Sequence, residues 1–86
     1  MTVPTSQSAG MTDADLIDRF LTRLVREAGG TRRRWRLVLG AVRLHDVATH
    51  PHCNWSIAPT GTSDEVSEVE RVSDELRLRH PIVAVT

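Results

Sequence analysis

"TRRRWRLVLGAVRLHDV", residues 31–47, places its apolar residues on one parity before Gly40 (Trp35, Leu37, Leu39) and on the other after it (Val42, Leu44). Alternation is the period of a half-buried strand, and a change of face at a glycine marks a bulge or a break between two strands. A helix running through the whole stretch would be apolar almost all round. It would also hold Gly40 in its interior, where glycine costs about 1 kcal/mol relative to alanine. The sequence therefore predicts strand structure over residues 32–47, as one bulged strand or as two.

Upstream, "MTDADL" opens a helix with Thr12 as N-cap, Asp15 as the reciprocal acid of a capping box and Met11 against Leu16 as a hydrophobic staple. Leu16, Ile17, Phe20, Leu21, Leu24, Val25 and Ala28 follow at amphipathic helical spacing, and Gly29 and Gly30 end the run. Residues 1–10, rich in Ser, Thr, Pro and Gly without periodicity, read as a disordered leader to a single domain at 11–86.

Downstream, "HCNWSIAP" alternates, with Cys53, Trp55 and Ile57 on an inward face and His52, Asn54 and Ser56 on an outward one. Pro59 and Gly61 form a turn, and Thr62 with Glu65 forms a second capping box. Val66, Val69, Val72, Ser73 and Leu76 make one stripe of a second helix, which Pro81 obliges to stop near Arg79. "PIVAVT" is left as a short strand or an extended arm. The expected class is α+β: a two-layer sandwich with two helices on one face of a small, mostly antiparallel sheet, in the order α-β-β(-β)-α.

In outline that order, with Gly40 dividing two strands, resembles the double-stranded RNA-binding domain. That family presents a lysine-rich start of its second helix to phosphates. Here the matching stretch is "TSDEVSEVE", whose acids would repel them.

Composition narrows the chemistry. The 86 residues hold eleven arginines and no lysine, which removes Schiff-base and P-loop chemistry. Net charge is zero but uneven: residues 32–53 carry five arginines against Asp46, and residues 54–86 carry three against six acids. One cysteine forms no internal disulfide, and neither a signal-peptide pattern nor a membrane-length apolar run is present, so the expectation is a cytoplasmic bacterial protein without a membrane partner. So small a domain buries a modest fraction of its surface, and a homodimer interface would add to it.

Three functional readings follow. The first is a non-catalytic adaptor or accessory protein that contacts a protein partner, itself included as a homodimer, through Arg33, Arg34, Trp35 and Arg36. The second is nucleic-acid binding by the same residues, with guanidinium groups on phosphates and the indole stacked on a base. The third is a metal or catalytic site at His45, Asp46, His50 and His52, which supply ligand types suited to zinc. On a strand His50 and His52 share a face while Cys53 turns inward, which favours an inert thiol over a nucleophile. No serine lies in a nucleophile-elbow pattern. No catalytic residue and no obligatory cofactor is assigned.

Overall fold

A computed structural model describes residues 11–84; the leader expected at residues 1–10 lies outside the described residues. The order is α1 (Asp13–Ala28), α2 (Arg32–Leu39), β1 (Arg43–Leu44), β2 (Trp55–Ser56) and α3 (Ser63–Arg79). β1 and β2 pair antiparallel with Arg43 opposite Ser56 and Leu44 opposite Trp55. The class is α+β, as the sequence implies, but three helices rather than two pack on one another beside a two-stranded sheet.

Both expected capping boxes form. The Thr12 hydroxyl accepts from the Asp15 N–H at 3.1 Å while the Asp15 carboxylate accepts from the Thr12 N–H at 3.1 Å. Thr62 and Glu65 repeat the exchange at 3.1 and 3.0 Å. Two backbone N–H groups at each helix start that would otherwise lack partners are thereby satisfied.

The strand expected over residues 32–39 is a helix. Trp35, Val38 and Leu39 are buried, at i, i+3 and i+4, whereas Leu37, which strand parity would put inside, is 65% exposed. Thr31 is the N-cap and accepts from the Arg34 N–H at 3.1 Å. Gly40 stands at the end of the helix, not in its middle, with φ 69° and ψ −153°, backbone that an L side chain rarely adopts. Glycine thus stops α2 and turns the chain into β1, so the change of parity records a change of element. The double-stranded RNA-binding topology goes with it.

One core joins the elements: Leu16, Phe20, Leu21 and Leu24 of α1, Trp35, Val38 and Leu39 of α2, Trp55 of β2, Val69, Val72 and Leu76 of α3, and Val83. Phe20 meets Trp55 edge to face, with centroids 5.8 Å apart and planes at 87°. Both indole N–H groups find carbonyls, Trp35 on Gly29 at 2.7 Å and Trp55 on His80 at 2.9 Å. Arg77 lies over the Trp55 ring, 4.8 Å from its centroid.

Asn54 also departs from the outward position that alternation gives it, being fully buried. Its amide nitrogen donates to the Val83 carbonyl and its oxygen accepts from the Val83 N–H, both at 2.8 Å, while its own N–H donates to Pro81 at 3.0 Å. The side chain thus imitates a strand backbone toward the C-terminal segment. Ala84 continues the attachment by donating to the Met11 carbonyl at 2.7 Å and forming a parallel bridge with Thr12. Met11 and Thr12 thus lie side by side with Ala84.

Candidate functional site

The turn after β1 holds the histidines. Asp46 closes it, its carboxylate accepting from the Ala48 N–H at 2.9 Å and its carbonyl accepting from Thr49 and His50. His45 Nε2 lies 2.9 Å from the Ser56 hydroxyl on the paired strand, and the His45 and His50 rings stack with centroids 4.2 Å apart and planes at 19°. Because the Thr49 hydroxyl donates to the Asp46 carbonyl, His50 Nδ1, 2.9 Å from that hydroxyl, acts as the donor between them.

This arrangement suits a metal poorly. Imidazole lone pairs lie in the ring plane, so two nearly parallel rings aim past each other instead of converging on an ion at about 2.0–2.1 Å. His52 is exposed, and among the described residues no three His, Cys, Asp or Glu side chains gather where an ion could be held. Cys53 is half-buried with its Sγ donating to the Trp55 carbonyl at 3.4 Å, and among the described residues no histidine hydrogen-bonds to the thiol to take its proton.

The arginines of residues 32–36 are mostly struts. Arg32 bridges to α1 through Asp18 at 2.7 Å and Thr22 at 3.1 Å. Arg34 reaches the first turn of α3 and grips Glu65 with two hydrogen bonds of 2.8 and 2.7 Å, the side-by-side geometry a guanidinium offers a carboxylate. That grip, with the Thr62 N–H behind it, holds the Glu65 carboxyl at about 2. Arg36 donates to the Gly40 carbonyl at 2.6 Å. Trp35, 6% exposed, is core and offers no surface for a partner or a base. Of the four residues expected to make contacts, only Arg33 is exposed with no partner among the described residues.

A second network joins α1 to α3. Arg23 pairs with Glu27 and Glu75, each at 2.6 Å, and Arg71 with Glu27 at 2.9 Å and Glu68 at 2.8 Å. Arg23 and then Arg71 hold the Glu27 carboxyl at about 2.

Beside this network lies an open groove of about 770 Å³ between α1 and the last turn of α3. Met11 and Leu76 supply apolar lining, and Arg19, Arg23, Arg26, Arg79 and His80 supply cationic or cationisable groups. Arg23 is neutralised within the network, but Arg19 and Arg79 have no hydrogen-bond or ion-pair partner among the described residues, and Arg26 only nears Glu27 at 3.9 Å. Of the acids that line the groove, Asp18 is taken by Arg32 and Asp15 by the capping box. Burial, then the fields of Arg19 and Arg79, push the His80 imidazole below its ordinary pKa. Cations from two elements therefore share one groove, and among the described residues Arg19 and Arg79 stand there unpaired.

Sequence reasoning passed over this groove. Arg19, Arg23 and Arg26 stand at i, i+4 and i+7, one face of a helix, and a helical projection of α1 would have shown the stripe. That α3 brings Arg79 and His80 to the same stripe is tertiary information. No helix among the described residues is long and apolar enough to cross a membrane. Comparisons of this chain with protein-family models, with curated proteins and with solved structures found no match.

Proposed function

We propose that this chain is a non-catalytic domain that works by docking another protein in the groove between α1 and the end of α3. The observation that carries the proposal is that Arg19 and Arg79, without an ion-pair partner among the described residues, stand exposed in one groove beside Arg26, whose only acid is Glu27 at 3.9 Å, in a molecule that ties Arg23, Arg32, Arg34 and Arg71 to its own acids. Like charges held together cost folding free energy, and an acidic partner removes that cost. An accessory role in the cytoplasm of a bacterial cell belongs to the same proposal and rests on composition alone.

Nucleic-acid binding through residues 32–36 has less support, since Arg32 and Arg34 are engaged and Trp35 is buried. Zinc at the His45 turn has less again, because the stacked rings do not converge. The test is recovery of partners by the tagged chain from cells that express it, comparing wild type with Arg19→Glu/Arg79→Glu and Arg33→Glu. The expected result is a partner lost with the groove pair and kept with Arg33→Glu. A partner kept by the groove pair and lost with Arg33→Glu would return the contact surface to α2.

A further inference from the structure

The groove's charge geometry narrows the class of partner, an inference that rests on the docking reading above. Arg19 and Arg26 are seven residues apart on α1, about 10 Å along the axis at 1.5 Å per residue. Arg79 enters from α3, so the groove's cations come from two elements. Asp15 and Asp18 also line the groove and disfavour a polyanion with charges at every step. Met11, half-buried at the groove's edge, provides an apolar contact that a phosphate backbone would not use. A polypeptide with carboxylates set about 9–10 Å apart and small apolar residues between them matches both features, and every third residue of an extended polyproline-type segment has that spacing.

We propose that Arg19, Arg26 and Arg79 receive an acidic polypeptide segment of the partner, with carboxylates at every third residue. Each carboxylate gains charge-assisted hydrogen bonds from a guanidinium, and the bound segment also screens Arg19 from Arg79. Arg19 and Arg79 have no ion-pair partner among the described residues, while Arg26 nears Glu27 only at 3.9 Å.

The experiment is calorimetric titration of the full chain at low ionic strength with a capped Glu-Ala-Pro-Glu-Ala-Pro-Glu peptide. Its Gln counterpart, inorganic phosphate and a short RNA duplex are titrated in parallel. The Glu peptide is expected to bind about tenfold or more tightly than the Gln peptide, and Arg19→Gln/Arg79→Gln to weaken it by about tenfold or more, with Arg33→Gln without effect. Absence of Glu-peptide binding, equal binding by the double variant, or tighter groove-dependent binding of the RNA would overturn the proposal. If the peptide fails while Arg19→Glu/Arg79→Glu still loses its cellular partner, the acidic class falls and the docking reading stands; if neither variant set has an effect, both fall. A dimer of the wild type in sedimentation that Arg19→Glu/Arg79→Glu abolishes would make a second copy the occupant and would also overturn it.

Discussion

Single residues carry several of the structure's commitments. Gly40 is one, because no atom lies within 4 Å of a Cβ built there, so the cost of Gly40→Ala is confined to the backbone. Forcing alanine into that conformation is expected to cost about 1–3 kcal/mol, read from the urea midpoint; a neutral result would mean that α2 does not end there. Asn54 is another. Asn54→Leu leaves the Val83 N–H and carbonyl without partners, at about 1–3 kcal/mol each, and should release the C-terminal segment to rapid amide exchange before the helices. His80 gives a pH signature. Its pKa is lowered in the fold, so its contribution to stability is complete above about 6.5 and is lost as pH falls below that value. The melting temperature of His80→Gln should therefore fall less steeply than wild type between about pH 7 and 5. Equal slopes would remove His80 from the account.

At the scale of elements, α1 and α3 were legible because their signals are redundant: capping residues, a long apolar stripe and a stop residue all agree. α2 was not, because eight residues allow two periods. Trp35 and Leu39 satisfy both parity and helical spacing, and only Val38 against Leu37 separates the two. A helix this short is marginal alone and owes its state to packing on α1 and α3. Alternation from Cys53 to Ile57 did find β2 and its inward face, with Cys53 and Ile57 against the core, but it misplaced Asn54, whose partner arrives from 29 residues away. The ion pairs between helices have their own pH window. Glu27 and Glu65, held at about 2 against an ordinary 4.5, add stability that is complete above 4.5 and lost as pH falls toward 2. Acid unfolding should begin at higher pH in Arg34→Gln than in Arg33→Gln, although solvent screening keeps the difference small.

For the molecule as a whole, the pattern of charge is more informative than its sum. A chain of net charge zero uses four of its eleven arginines, Arg23, Arg32, Arg34 and Arg71, to fasten three helices together through acids, and leaves others facing an open groove. In the densest run of arginine two charges, Arg32 and Arg34, meet Asp18 and Glu65 from distant elements, and His45 and His50 stack in a turn that Asp46 closes. The candidate surface was hidden because its cations come from α1 and α3, which only folding brings together. The most direct measurement is an amide and side-chain NMR titration of the full chain with the acidic peptide. Shifts confined to Arg19, Arg26, Arg79, His80 and their neighbours are expected; shifts centred on residues 32–36 or on the His45 turn, with the groove silent, would contradict docking at the groove.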